Sequence, residues 1–326
     1  MFYTCSKLSK IVLPNNILEI GESAFYGCSS LKNIDIPDKV TEIGYSAFYG
    51  CSSLKNIDIP DKVTEIGDSA FRRCSSLMSI NIPKEVTEIG RQAFGSCVSL
   101  TSINIPKRVT RLEDLFSNCS SLRSVTFEKG SQLKYIFGGL YSSYDGMFCN
   151  CEALTSIEIP ASVEMIKGCI FNNCSSLRSV TFEKGSQLKY IFGGLYSSYD
   201  GMFCNCEALT SIEIPASVEM IKGCIFNNCS SLRSVTFEKG SQLKYMVEGV
   251  FCDCEALTSI EIPASVEMID MYYCINLANI YCYPSIPPIL NDFRCKNFVL
   301  YVPSQSLEAY KNSSWSEYYS SIKTIQ

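Results

Sequence analysis

Apolar and polar residues alternate in short segments that recur along the whole chain. In one such segment, polar residues separate Ile34 from Ile36 and from the apolar residues around them, so the two isoleucines face one side of an extended strand. Pro37 follows and ends the strand, because proline has no amide hydrogen to give to a sheet ladder. Val40 and Ile43 are apolar again, and an alanine–phenylalanine pair follows them. The pattern predicts a short strand and a return path that share one apolar core.

Cysteine marks the register of a repeat about 23 residues long. The unit reads C-S-S-L-x-x-I-x-I-P-x-x-V-x-x-I-G-x-x-A-F-x-x, and residues 28–50 and 51–73 are its cleanest copies. Residues 118–190 recur without change at 173–245. A unit this short cannot bury an apolar face alone, so the coils are predicted to stack into a solenoid with a continuous core. The cysteines in register are Cys5, Cys28, Cys51, Cys74, Cys97, Cys119, Cys151, Cys174, Cys206, Cys229, Cys254 and Cys274.

Composition narrows the class of function. The 326-residue chain has a net charge of −5 and no histidine. Without histidine, Ser-His-Asp and Cys-His nucleophile systems and His-ligated metal sites are excluded. A mildly acidic chain is a poor candidate for binding nucleic acid, and no apolar run approaches the ~18 residues of a membrane helix. The start of the chain also lacks the apolar region of a secretory signal. We expect no enzyme activity, no nucleic-acid partner and no membrane insertion.

The nineteen cysteines favour buried thiols over disulfides or metal ligands. In-register side chains on adjacent coils lie ~4.8 Å apart, whereas disulfides prefer Cβ separations of about 3.5–4.5 Å. The ladder cysteines are therefore predicted to act as small core hydrophobes. C-x-C pairs occur outside strict register, but no second pair is placed opposite them to complete a zinc site. No metal and no cofactor is expected.

Three motifs recur from Phe2 to about Cys274: L-x-x-I-x-I-P, V-T-E-I-G, and A-F-x-x-C followed by S-S-L. With these motifs the chain resembles the leucine-rich repeat superfamily and, more specifically, its BspA-like (Treponema-type) class. The resemblance implies an α/β repeat solenoid that is mostly β, a right-handed superhelix with a parallel sheet on one side and a C-terminal cap. The asparagine of better-known leucine-rich repeats is missing, and Lys39 holds that offset.

The end of the chain is similar to the closing segment of the same class. Apolar residues alternate from Phe298 to Val302 as a last strand, and a short helical segment up to Trp315 is expected to cover the open end of the core. We expect one solenoid over residues 1–326, with repeats over about 5–296 and the cap over about 297–326.

Exposed strand positions form a charged stripe in the second half of the chain. Arg123 and Arg178 lie in coils that alternate with those of Glu158 and Glu213. Alternation avoids placing like charges ~4.8 Å apart. The stripe is interpreted either as a solvated surface with weak pairing or as a charged recognition face.

Two longer coils contain the same inserted segment, G-G-L-Y-S-S-Y-D-G, at 138–146 and 193–201. Insertions in solenoids map to loops on one face, often the binding face, and tyrosine and serine are favoured in binding loops. The alternative is a tolerated insertion with no partner. The candidate contact residues are Tyr141, Tyr144, Asp145, Tyr196, Tyr199 and Asp200.

The leading functional hypothesis is a non-enzymatic scaffold whose elongated surface binds proteins or glycans. Resemblance to BspA-like proteins implies a cell-surface or secreted adhesin for host matrix or cell-surface proteins. The alternative is a self-assembling structural repeat protein. The chain begins in mid-coil, with Phe2 and Cys5 matching the A-F-x-x-C tail of a repeat, and an uncapped first coil would present an unpaired edge to another copy.

Overall fold

Each coil of the chain has a front segment, a rear strand and a side turn. The computed structural model describes residues 2–139, 146–194, 201–271, 274 and 276–325. They form a mostly-β parallel solenoid of about 13 turns with a short C-terminal helix. The predicted leucine-rich-repeat solenoid is therefore confirmed, and one cluster of buried side chains runs from Ile20 to Trp315.

The front row consists of the strands predicted from the alternating I-x-I segments. Ile103 and Ile105 are buried while the residues between and before them are exposed, which is the predicted pleat. In the first four coils the same segment is not part of a regular ladder, apart from an isolated bridge between Asp58 and Asn81. The front strands are Ser102–Ile105, Ser124–Phe127, Ser156–Ile159, Ser179–Phe182, Ser211–Ile214, Ser234–Phe237, Ser259–Ile262, Asn279–Cys282, Phe298–Val302 and Tyr319–Thr324.

A second row of strands lies on the rear side, so the predicted sheet has a counterpart. Its first four strands come from the E-I-G segments and the later ones from the corresponding positions of the other coils. Every pair in it is parallel and mostly in register. The rear row divides into a four-stranded and an eight-stranded sheet. The four-stranded sheet contains Glu19–Ile20, Glu42–Ile43, Glu65–Ile66 and Glu88–Ile89. The eight-stranded sheet contains Arg111–Glu113, Tyr135–Gly138, Met165–Gly168, Tyr190–Phe192, Met220–Lys222, Tyr245–Val247, Met268–Met271 and Ile289–Phe293.

A ladder of phenylalanine rings fills the core beneath the side turns. Rings of consecutive coils are stacked, with centroids 5.2 to 5.9 Å apart. Because each ring packs against the equivalent ring of the next coil, every coil supplies the packing partner that its neighbour needs. The ladder comprises Phe2, Phe25, Phe48, Phe71, Phe94, Phe116, Phe148, Phe171, Phe203, Phe226 and Phe251.

The ladder cysteines lie beside these rings as thiols. Cys97 Sγ donates to the backbone oxygen of Phe71 at 3.2 Å, and the same contact recurs from coil to coil. Burial raises the pKa of Cys51 and of Cys119 to about 12, as expected of core thiols. The prediction of buried ladder cysteines is wrong at Cys5, which is exposed because it lies in the first coil.

The C-terminal segment closes the core as predicted. It contains the 3₁₀ turns Ser304–Ser306 and Ser314–Glu317 and the helix Leu307–Lys311. Tyr310 and Trp315 are fully buried. The Trp315 indole donates to the Pro288 oxygen at 2.9 Å, and the Tyr310 hydroxyl donates to the Pro284 oxygen at 3.0 Å. Both large side chains therefore have their polar atoms satisfied while they cover the last coil.

Candidate binding face

The front row presents two neighbouring columns of exposed side chains, which we call the centre column and the flanking column. Within each bonded pair of front strands, neighbouring residues of a column are held in parallel register. The front row is divided between such pairs into separate sheets. The centre column contains Asp35, Asp58, Asn81, Asn104, Thr126, Glu158, Thr181, Glu213, Thr236 and Glu261. The flanking column contains Lys32, Lys55, Met78, Thr101, Arg123, Thr155, Arg178, Thr210, Arg233 and Thr258.

From the coil of Arg123 and Thr126 onwards, charged and hydroxyl residues alternate in both columns, out of phase. Glu158 is in register with Thr181 in the centre column. In the flanking column, the Arg178 amide donates to the Thr155 oxygen at 2.9 Å. A coil with a central glutamate therefore has a flanking threonine, and the next coil has a flanking arginine and a central threonine. Like charges in one column are two coils apart, or ~10 Å at the usual strand spacing.

The four predicted residues of the stripe, Arg123, Glu158, Arg178 and Glu213, are all exposed on this one face. Over the described ranges, none of the four forms an ion pair within the protein. The structure thus brings them together as a regular pattern of charges whose hydrogen-bonding groups face solvent. Such an array can bind a partner with complementary charges, because arginine and carboxylate groups form charge-assisted hydrogen bonds.

Aromatic side chains extend the centre column towards the C-terminus. Tyr281 is in register with Glu261, and its ring stacks on that of Tyr301 with centroids 4.5 Å apart. The Lys323 ammonium lies 5.7 Å from the centroid of the Tyr301 ring. The face therefore changes along the axis from aspartate and asparagine, through alternating charges, to stacked tyrosine.

The predicted tyrosine contacts, Tyr141, Tyr144, Asp145, Tyr196, Tyr199 and Asp200, lie outside the described residues. Their role stays a prediction. At the base of the first insertion, the buried Asp114 carboxylate accepts from the Gly139 amide at 2.8 Å and from Arg91 Nε at 2.8 Å. Burial raises the pKa of Asp114, and the two hydrogen bonds oppose that effect. At the other base, a Cβ on Gly146 would lie 1.7 Å from the Cys169 oxygen, so only glycine fits there.

A ladder of side-chain amides on the turn side was not predicted. From Asn150 onwards, each asparagine donates its Nδ2 to the Oδ1 of the asparagine one coil earlier, at 2.6 to 2.9 Å, while Asn118 at the start donates to Ser117 Oγ. All have a left-handed backbone, with φ between 56° and 62°, a conformation that asparagine tolerates better than most residues. The N-C dipeptide that recurs before the ladder cysteines is the signal that could have revealed it. The ladder comprises Asn118, Asn150, Asn173, Asn205 and Asn228.

The charges on the rear side were not predicted from the sequence either, and they are arranged in two different ways. In the first coils, Glu19, Glu42, Glu65 and Glu88 are stacked in register. Partial burial raises the pKa of Glu65, and the neighbouring carboxylates raise it further. Later coils alternate instead, and the pairs are Lys134–Glu164, Lys189–Glu219 and Lys244–Glu267 at 3.0 to 4.0 Å. The order of these charges can be read from the recurring segments V-T-E-I-G in the first coils and K-Y and E-M in the later coils.

Two further properties concern the described part of the chain. No group of three or more cysteine, aspartate or glutamate residues there is arranged to hold a metal ion. No helix there is both long enough and apolar enough to cross a membrane.

Comparison with known families identifies the repeat. The description "BspA type Leucine rich repeat region" matches residues 1–123, 142–198 and 196–293. The chain belongs to the BspA-type leucine-rich repeat proteins. This confirms the resemblance drawn from the three motifs.

Solved structures of other leucine-rich repeat proteins are similar to this chain. A leucine-rich repeat protein from Bacteroides ovatus is 26% identical, with 99% of this chain and 85% of that chain covered and a TM-score of 0.63. A leucine rich cell surface protein from Faecalibacterium prausnitzii is 26% identical, with 98% and 86% covered and a TM-score of 0.50. The T. pallidum leucine rich repeat protein is 29% identical over 61% of this chain and 77% of that chain, with a TM-score of 0.40. A search of curated proteins gave no match.

Proposed function

We propose that this BspA-type chain is a non-enzymatic scaffold, exposed at the cell surface or secreted, that binds protein ligands through the alternating charges of its front face. The observation that carries the proposal is the set of exposed, solvent-facing charges at Arg123, Glu158, Arg178 and Glu213. A rigid array of this kind suits a partner with an extended polar surface, such as a host matrix or cell-surface protein. Similarity to a protein described as a leucine rich cell surface protein supports the location.

Rigidity is the property that makes the face suitable for recognition. The front strands are paired in parallel within separate sheets, as Ser156–Ile159 is with Ser179–Phe182, and their inward isoleucine and valine side chains are buried in the core. The side chains alone must be ordered when a partner binds, which limits the entropic cost of association. Charge complementarity then contributes mainly to the association rate and to the choice of partner.

The proposal can be tested with paired neutralising variants. Arg123→Gln with Arg178→Gln removes two charges from the front face, and Lys134→Gln with Lys189→Gln removes two charges from the rear side of the same coils. Binding of both variants to immobilised extracellular-matrix proteins and to intact cells is measured by surface plasmon resonance and by an attachment assay. We expect the front variant to lose about tenfold or more in affinity, mainly through the association rate, and the rear variant to bind like wild type.

If the front variant bound like wild type, with circular dichroism unchanged, the proposal would be contradicted. A loss shared equally by both variants would mean that net charge, rather than the front face, controls binding. Glu158→Gln with Glu213→Gln completes the test, because a partner that carries charges of both signs should also respond to this pair.

A further inference from the structure

Two thiols outside the cysteine ladder lie in contact across neighbouring coils. Cys224 Sγ and Cys252 Sγ are 3.8 Å apart. The buried ladder thiols, in contrast, donate to a phenylalanine oxygen of an adjacent coil, and only the last of them, Cys274, also contacts a thiol outside the ladder, that of Cys295, among the described residues. The spacing of the ladder thiols follows the coil repeat, which is wider than a disulfide requires. The contact between Cys224 and Cys252 therefore has a local origin.

The local origin is the turn at Glu248–Gly249. Both residues have a left-handed backbone, with φ of 64° and 69°. The Cys224 thiol is 3.6 Å from the Glu248 oxygen, and the Cys252 thiol donates to the Gly249 oxygen at 2.9 Å. One turn thus holds both sulfur atoms, and it belongs to the coil that has V-E-G-V where two earlier coils have the long insertion.

Access to the pair is unequal. Cys224 is 9% exposed and Cys252 is 1% exposed, while most ladder cysteines are completely buried. An oxidant therefore reaches Cys224 first. The pKa of Cys252 is raised by its hydrogen bond with Cys224 and by burial, so reaction in the folded state is slow, since the thiolate is the nucleophile.

We propose that Cys224 and Cys252 form a reversible disulfide that joins two coils when the protein meets an oxidising medium. The sulfur atoms, now 3.8 Å apart, must approach by about 1.8 Å to reach bonding distance. The ladder cysteines remain thiols. Cell-surface proteins work in oxidising surroundings, where disulfides persist.

With oxidised glutathione as the oxidant, the reaction balances as two exchange steps. The Cys224 thiolate attacks the glutathione disulfide and releases one glutathione thiolate. The Cys252 thiolate then attacks the Cys224 sulfur of the mixed disulfide and releases the second glutathione. Two electrons pass from the cysteine pair to the glutathione pair, and the two cysteine protons are taken up by the released thiolates. Reduced glutathione reverses both steps.

The test is non-reducing peptide mapping of the full chain. Reduced protein is incubated with oxidised glutathione at mildly alkaline pH, unreacted thiols are alkylated under denaturing conditions, and cross-linked peptides are identified by mass spectrometry. We expect a Cys224–Cys252 cross-link with a loss of about 2 Da, and the fully buried ladder cysteines recovered in alkylated form. Recovery of both Cys224 and Cys252 as alkylated thiols, or cross-links distributed among ladder cysteines, would overturn the proposal.

A stability measurement separates a native disulfide from an accidental one. Closing a loop of this length should raise the melting temperature of oxidised wild type by about 5 °C. Cys224→Ser should lose this shift. Cys169 occupies the position equivalent to Cys224 in the preceding copy of the duplicated unit, so Cys169→Ser should retain the shift in melting temperature. A shift that persists in Cys224→Ser, or that disappears in Cys169→Ser, would contradict the assignment.

Discussion

Two blocks of the solenoid use the same coil but repeat it differently. The regular block, residues 28–117, repeats every 22 or 23 residues, whereas the duplicated block, residues 118–245, repeats as pairs of unequal coils. The phenylalanine ladder runs through both without a break. For apolar side chains the repeat length thus makes no difference, because identical neighbours pack well in either block.

Charged side chains show the opposite behaviour. The one-coil repeat of the regular block places Glu42 directly beside Glu65, and Glu65 beside Glu88. The two-coil repeat of the duplicated block places Glu219 between Lys189 and Lys244. The comparison teaches that a strict one-coil repeat forces like charges together, and that doubling the repeat allows opposite charges to alternate without loss of the core.

The largest expected effect concerns the shared core. Phe71→Ala in the regular block and Phe171→Ala in the duplicated block should each lower the free energy of unfolding by about 3–5 kcal/mol, because each ring is buried between two others. Urea unfolding followed by circular dichroism measures both. If one block tolerated the change with a loss under about 1 kcal/mol, the ladder would not be a common core.

The next effect concerns the amide ladder, which exists only in the duplicated block. Asn173 donates to Asn150 at 2.9 Å and accepts from Asn205 at 2.7 Å, with a φ of 60°. Asn173→Ala should cost about 1–3 kcal/mol, because two hydrogen bonds are lost and alanine is strained at this φ. Asn173→Gly keeps the backbone conformation and should cost less. Equal losses in the two variants, measured by urea unfolding, would show that backbone strain plays no part.

Two buried carboxylates flank the duplicated block and should differ in their response to substitution. Asp114 accepts from Arg91 and Gly139, whereas Asp270 has one oxygen, Oδ1, without a hydrogen bond. Asp114→Asn should cost about 1–3 kcal/mol through the loss of a charge-assisted hydrogen bond. Asp270→Asn should be neutral or stabilising near pH 7.

The pH dependence gives Asp270 a separate check. Burial raises the pKa of Asp270, and the carboxylates of Asp292 and Glu248 raise it further. Lys222 forms an ion pair with Glu248, and Arg294 forms one with Asp292. A carboxyl whose folded pKa is raised favours folding below its unfolded pKa, and that stability is lost as pH rises through the folded pKa. Wild type should therefore lose stability above about pH 4 more steeply than Asp270→Asn. Parallel pH profiles of the two proteins would reject this role.

Much of the fold could be predicted from sequence, because apolar residues recur in register. Ile34, Ile36 and Phe48 define the strand and the core by their spacing alone. The rear strands escaped prediction because each is only two to five residues long, and in the first coils a glycine typical of a turn follows the strand directly. The amide ladder depends on a left-handed backbone at each of its asparagines. An asparagine such as Asn118 tolerates that conformation but does not require it, so its presence in the sequence does not predict the ladder.

The charged face was predictable as a stripe, but its organisation was not. Sequence spacing shows that Arg178 and Glu158 alternate, whereas the parallel register shows that each charge faces a threonine. The approach of Cys224 to Cys252 lay beyond sequence analysis altogether. It depends on two left-handed residues in one turn, a tertiary feature with no periodic signal.

The relation between repeat length and charge is tested most directly by comparing Glu65→Gln with Glu219→Gln. We expect Glu65→Gln to raise the free energy of unfolding by about 0.2–1 kcal/mol, because it relieves like-charge repulsion, and Glu219→Gln to lower it by a similar amount of about 0.2–1 kcal/mol. Both differences should shrink in about 1 M salt, which screens exposed charges. They are measured by urea unfolding at neutral pH and low ionic strength. Changes of the same sign in the two variants, or differences that do not respond to salt, would contradict the conclusion that the two blocks differ in how they stack charge.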